Sequence, residues 1–526
     1  MKVSHILLTS ALLLVSVPAL NAFPSYGYSM LSPRPQTTNG EWDARNDFAW
    51  IYQNQLKPSH LFDISLNFAQ SFQPEELAAE VFGDSVINIE GSMLPNRNAM
   101  DFMADQFALS PFFASTVTFR PQYRSIVIPA TAIVDLDQCF GCHAYFRITV
   151  PFVWASTNLC TSEDIADPED NIPFPPDYFG VNSVTPLTSF TQALMRTQPV
   201  GALIEPLKFG RITCEQSDAR LANITCDLGI NPIFDDEHSF GIFARMATPN
   251  ARRPTAKFLF EPFVGNAHQW ELGAGIKGHQ RIWCGSGDNE FSVYLALALT
   301  HLFAGRQHRS FDLCQNGSGF FSRYLLAKTF DANGNATGNL APLINYSTLP
   351  CKVSATFQLD GVFMATYLDR GFHFDFGYEL YLRTQEKAEL LAGIPARTLG
   401  IKGVQNTNDT ITNLPINTTQ HTATIFGPSF DQQMFVVDNP SPQFVTTEQL
   451  NLRSGLSPQI LTQKLFAYLG YQWDCLHRTK SFQPYIGIGF DVEFQGGNEA
   501  EAPIWDVDNN TLCQWNIQWR GGFLFG

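Results

Sequence analysis

A chain of 526 residues with a formal charge of −16 carries no basic footprint, which argues against nucleic acid as its partner. Charged residues make up 16% of it, below the roughly 25% of soluble domains, while 13% of the residues are aromatic. That balance leaves two architectures at this length: a few soluble, secreted all-β domains, or one large barrel with long loops.

At the amino terminus Lys2 precedes an apolar run from Ile6 to Val17. Pro18-Ala19-Leu20-Asn21-Ala22 follows with small residues for cleavage, so residues 1–22 read as a secretory signal peptide. Residues 23–58, rich in Pro, Asn and Gln, read as a periplasmic arm or an inward plug ahead of a barrel over residues 59–526. No later run resembles a membrane helix: Phe291 to Phe303 is interrupted by Ser292, Tyr294, Thr300 and His301. Lipid admits only helices and closed barrels, because every backbone N–H and C=O must be paired without water.

From Leu61 onward apolar and polar residues alternate in one segment after another. The clearest are Phe146 to Trp154, Trp270 to Ile276, Phe372 to Leu382 and Ile486 to Phe494. Weaker ones lie near Leu61–Ala69, Phe113–Val134, Leu221–Ile230, Phe240–Met246, Lys257–Val264, Phe291–Phe303, Arg309–Leu313, Val353–Tyr367 and Leu465–Trp473. Several exceed the usual 5–6 residues of soluble strands and reach the about 9–11 that a tilted membrane strand needs. Short connections (Asp135–Cys142, Gly265–His268, Ala304–His308, Asp369-Arg370-Gly371, Asp474–Ser481) alternate with longer ones (Gln70–Phe112, Ala155–Ala219, Gly278–Asn289, Cys314–Cys351, Arg383–Leu461). The expected fold is therefore an all-β transmembrane antiparallel up-and-down barrel of about 14 strands, or 16 if Thr422–Val437 adds a hairpin. Short periplasmic turns and long external loops join the strands.

The last strand, Thr511 to Phe525, places Trp515, Ile517, Trp519, Phe523 and Phe525 on one face and Gln514, Asn516, Gln518 and Arg520 on the other. It resembles the closing strand of a bacterial outer-membrane β-barrel, departing from that pattern only in the Gly526 that follows the terminal aromatic. Ten cysteines in an exported chain suggest an oxidising compartment. Cys314 with Cys351 and Cys160 with Cys214 bracket external loops as candidate staples, while Cys139, Cys142 and Cys475 fall on the periplasmic side. In architecture and cysteine usage the chain is similar to the cysteine-rich major outer-membrane proteins of intracellular bacteria. The resemblance implies an abundant porin-class protein of the outer membrane.

No catalytic motif is present: Gly285-Ser286-Gly287 and Gly317-Ser318-Gly319 do not fit the nucleophile elbow, and Asp235-Asp236-Glu237-His238 reads as a solvated turn. No cofactor, metal or enzymatic activity is expected. The expected working part is the lumen, whose pore-lining charges would be Arg147, Arg245, Lys277, Arg383 and Arg520 with Glu271, Asp375, Glu379, Asp491 and Glu493. The bland alternative is that these charges pair across the lumen and only support the wall. The expected function is passive diffusion of small hydrophilic solutes and ions. The rivals are a structural or adhesive surface barrel with a blocked lumen, and a soluble secreted all-β binding protein. Outer-membrane lipid, such solutes, homo-oligomers and disulfide-linked envelope proteins are the partners compatible with this reading.

Overall fold

Period-two alternation makes ribbons with one apolar and one polar face, and in the computed structural model twelve such ribbons close into a ring. The structure describes residues 34–54, 59–94, 101–166, 172–174, 178–285, 289–314, 321–334, 336–402, 444–473, 482–495 and 512–526. The ring strands are β1 (His60–Ser71), β2 (Gln122–Asp135), β3 (Tyr145–Asn158), β4 (Thr225–Phe234), β5 (His238–Ala247) and β6 (Glu271–Cys284). They continue as β7 (Glu290–Ser310), β8 (Thr348–Asp369), β9 (Phe372–Arg383), β10 (Ile460–Gln472), β11 (Phe482–Gln495) and β12 (Gln514–Phe525). Each strand pairs antiparallel with its sequence neighbours, and β12 closes on β1 through His60 opposite Phe525 and Ser71 opposite Gln514. Two short strands, Gln216–Leu221 beside β3 and Glu386–Leu390 beside β8, lie outside the ring.

The ring has twelve strands where the alternation suggested 14, and the two surplus segments fail for local reasons. Lys257–Val264 is not a ring strand. The Glu261 carboxylate there accepts from the backbone N–H groups of Thr255 (3.0 Å), Lys257 (2.9 Å) and Phe258 (3.3 Å), which folds the segment into a turn. Pro262 adds a position without a ladder donor. Arg309 belongs to the end of β7, which runs unbroken through the expected turn at Ala304–His308 by absorbing register shifts on either side of Leu302. Asp312–Leu313 forms a two-residue pair with Leu450–Asn451 instead. The two surplus strands cancelled in parity. Residues 278–284, expected in a connection, are the end of β6, whose link to β7 is one of the short ones. The signal peptide, Cys475 and the candidate hairpin at Thr422–Val437 lie outside the described residues.

All short connections and His60 and Phe525 share one rim, while the six long connections share the other. Outward positions are apolar and exposed: Phe376 is 53% exposed, whereas its neighbour Asp375 is 2%. The turn-side rim carries rings in contact, such as Phe372 with Tyr471 (4.8 Å), Phe482 with Phe523 (5.2 Å) and Tyr471 with Trp473 (5.2 Å). On the loop side Phe68 meets Trp515 at 5.5 Å. From Phe525 to Trp515 a strand tilted near 40° climbs about 25 Å, the height of a lipid-facing band between aromatic girdles. Inward glycines make room for rings directly opposite: Gly229 under Tyr145, Gly275 under Phe243, Gly377 under Phe466 and Gly522 under Tyr485.

The described parts of the long connections fold over their rim. Helix α2 (Pro74–Phe82) joins Phe119, Phe107, Phe190, Phe321 and Tyr324 in a buried cluster, with Phe82 stacked on Phe119 at 3.7 Å between centroids. The expected loop staples are not formed. Cys160, Cys214, Cys314 and Cys351 carry free thiols, as do Cys139 and Cys142, and Cys351 is buried with its thiol turned to the Gln307 carbonyl.

Candidate functional site: a lumen filled by a charged helix

Twelve strands tilted near 40° enclose a ring about 24 Å across its backbone. After inward side chains are subtracted, that leaves about the width of one helix with its side chains. Helix α1 (Gly40–Asn54) occupies it, packed against β1, β7, β8 and β9. Its start is set by the wall: the Gly40 N–H donates to the Glu379 carboxylate at 2.7 Å, and a Cβ there would meet Asp360 at 2.9 Å. A carboxylate at the positive end of a helix is favourable.

One side of the lumen is cationic. Arg147 on β3, Arg245 on β5 and Lys277 on β6 surround Asp227 of β4 and the helix residues Asp43 and Asp47. Arg147 reaches Asp43 and Asp47 at 3.2 Å each and Asp227 at 2.9 Å. Lys277 reaches Asp47 at 3.2 Å and lies 3.8 Å above the Tyr145 ring, and the Tyr294 hydroxyl donates to Asp47 at 2.8 Å. Three cations thus meet three carboxylates.

Across the lumen the wall is anionic. Glu379 accepts from Arg34 and pairs with Lys464 at 3.1 Å, and Glu493 meets Arg34 at 3.3 Å. Asp360 meets Arg34 at 3.5 Å, and Glu41 meets Lys464 at 3.6 Å. Arg45 pairs with Glu41 one turn back, hydrogen-bonds Gln518 and lies 3.9 Å from Asp375. Asp491 accepts from Asn516 at 2.7 Å. Between these groups Arg520 binds Asp63 at 2.6 Å and hydrogen-bonds Asn46 of the helix.

All ten charges singled out from the sequence are buried on inward positions. Eight gather around α1 and the strap before it, but Arg383 instead donates to Ser457 (3.0 Å) near the loop-side rim, and Glu271 is set beside Thr300 and Gln358. Sequence reasoning missed Arg34, Glu41, Asp43, Arg45 and Asp47. The i,i+4 pairs Asp43/Asp47 and Glu41/Arg45 were the available signal. Toward the turn-side rim the helix turns apolar: Phe48, Trp50, Ile51 and Tyr52 pack with Leu61, Ile133, Tyr145, Phe243, Phe466 and Tyr485. Beside Arg34, Trp42, Lys464 and Asp491 remains a cavity of about 50 Å³, room for a few waters. Among the described residues no group of three His, Cys, Asp or Glu side chains is disposed to hold a metal, and no helix is long and apolar enough to cross a membrane.

An apolar exterior around an ion-paired interior reverses the arrangement of a soluble protein and defines a closed antiparallel barrel of the lipid-facing kind. No family model matches the sequence, and no curated protein matches it. Solved structures similar in outline include the COG4313 outer membrane channel from Pseudomonas putida F1, at 6% identity and TM-score 0.35, covering 89% of this chain and 96% of that one. A Pseudomonas aeruginosa FadL homologue matches at 6% identity and TM-score 0.28, covering 97% and 99%. The translocator domain of the autotransporter NalP from Neisseria meningitidis matches at 7% and 0.25, covering 93% and 95%. With single-digit identities and such low TM-scores, these likenesses carry none of the functional argument.

Proposed function

We propose that this chain is a bacterial outer-membrane transport barrel that rests closed and passes small hydrophilic solutes and ions when α1 is displaced. The observation that carries the reading is the charged inner wall. A barrel meant only to be filled gains little from charges, since replacing buried ion pairs with well-packed apolar groups is often neutral or stabilising. A lumen that holds a helix at one time and water at another needs groups that are satisfied in both states. Here the wall charges meet α1 and its strap when closed, and water when open.

The apolar end of α1 sets the resting state. Exposing the buried Phe48, Trp50, Ile51 and Tyr52 costs on the order of 6–12 kcal/mol at about 1.5–3 each, so spontaneous opening is rare. Planar-bilayer conductance tests this: the wild type is expected to be nearly silent, and Trp50→Ala with Ile51→Ala to give frequent openings. The rival is a permanently sealed structural or adhesive surface barrel, favoured by the packed cap over the loop-side rim. A folded, heat-modifiable double variant that never conducts would establish that rival instead.

A further inference from the structure

Resting on the transport reading, we infer that the open lumen selects zwitterionic solutes, in which a cationic group and a carboxylate are separated on one small molecule, as in amino acids and short peptides. The helix that fills the lumen is itself a template for such a solute. It turns Asp43 and Asp47, one turn apart, to the wall of β3–β6, and Arg45, with Arg34 of the preceding strap, to the wall of β8–β11. The β3–β6 and β8–β11 walls lie on far sides of the twelve-strand ring.

When the helix leaves, each wall loses its counter-charges. Arg147, Arg245 and Lys277 keep only Asp227 among the carboxylates that contact them in the closed state. Opposite them Asp360, Asp375, Glu379, Asp491 and Glu493 keep, among the basic groups that contact them in the closed state, only Lys464 at Glu379 and His373 at Asp375. The slot between is about as wide as the helix it held. A simple ion gains from one wall only, and a neutral sugar from neither. A solute with both charges gains from both walls at once, in one orientation, and in a confined, weakly screened space that gain is larger than in bulk water.

The test uses the full-length chain carrying Trp50→Ala and Ile51→Ala, reconstituted in liposomes, with osmotic swelling rates read for a zwitterionic dipeptide and a neutral disaccharide of similar size. The dipeptide is expected to enter faster by about three-fold or more, and adding Arg147→Gln with Arg245→Gln should erase that ratio while the sugar still passes. If that wall variant fails to fold, as judged by heat-modifiable mobility, Asp360→Asn with Glu379→Gln on the other wall must erase it equally. Equal rates for both solutes before any wall change would overturn the inference and leave the transport reading standing. Entry of neither solute into liposomes holding folded protein would overturn both.

Discussion

The balanced cluster of Arg147, Arg245 and Lys277 with Asp43, Asp47 and Asp227 makes Arg147→Leu the most informative single substitution. Arg147 contacts all three carboxylates and is buried with Asp47 and Asp227. Removing one partner of a buried ion pair costs about 3–5 kcal/mol because the remaining charge is left uncompensated. Two of the three stranded carboxylates ride on α1, so the molecule can relieve the imbalance by releasing the helix while the ring stays hydrogen-bonded. The cost should therefore appear as opening: about 3–5 kcal/mol shifts the closed-to-open ratio by roughly two to four powers of ten. Single-channel recording in planar bilayers reads this as a rise in open probability with unchanged heat-modifiable mobility. Adding Asp47→Leu removes one stranded carboxylate and should restore closure, giving a coupling of 1 kcal/mol or more in the double-mutant cycle. Additive single effects, or a silent Arg147→Leu variant that folds, would refute the idea that this cluster latches the helix.

Three other outcomes follow from the geometry. Ile488→Arg puts a charge on the outward face of β11 amid the apolar belt and should cost about 2–4 kcal/mol at mid-bilayer, read as a lower urea midpoint in lipid vesicles; an unchanged midpoint would contradict a lipid-facing belt. Gly377→Leu drives a Cβ into the Phe466 ring, so the folded yield should fall sharply, and Phe466→Ala in the same chain should rescue part of it. In the cap, burial pushes the Lys402 ammonium down to about 7 even though Asp105 opposes the shift. The unfolded chain then binds more protons between about pH 7 and the ordinary lysine value of 10.5, so cap stability should rise with pH across that window. Protease resistance of the cap should follow that rise, and Lys402→Met should flatten it.

Strand direction was legible because alternation is a local property: one residue of slip would turn Phe376 inward and Asp375 into lipid. The strand count was less legible. Lys257–Val264 alternates like a strand, yet the Glu261 side chain outcompetes a neighbouring strand for three backbone donors. Gly305 looks like a turn residue, yet the ladder accommodates it beside a register shift. Neither competition can be seen without the third dimension. Helix α1 was hidden for a different reason. A helix on a soluble core shows an apolar stripe, but one inside a charged lumen carries Glu41, Asp43, Arg45 and Asp47 toward its surroundings, as an exposed segment would. Its partners, among them Arg147, Arg245, Lys277 and Lys464, come from strands far away in sequence.

Strand number and helix determine each other. Two further strands would widen the ring by about 4 Å, enough to part the 3.2 Å contacts that tie Asp43 and Asp47 to Arg147 and Lys277 and admit a sleeve of water around α1. Ion pairs bridged by water are worth far less than those in a dry interior, and the Trp50 and Ile51 contacts with the wall would be lost outright. Two strands fewer would narrow the ring by about the same 4 Å, leaving less than the width of a helix with its side chains. Closure by a helix is therefore a property of the twelve-strand ring. The charges on its wall gain their meaning from the same number, since only at this width do both walls reach a single occupant at once.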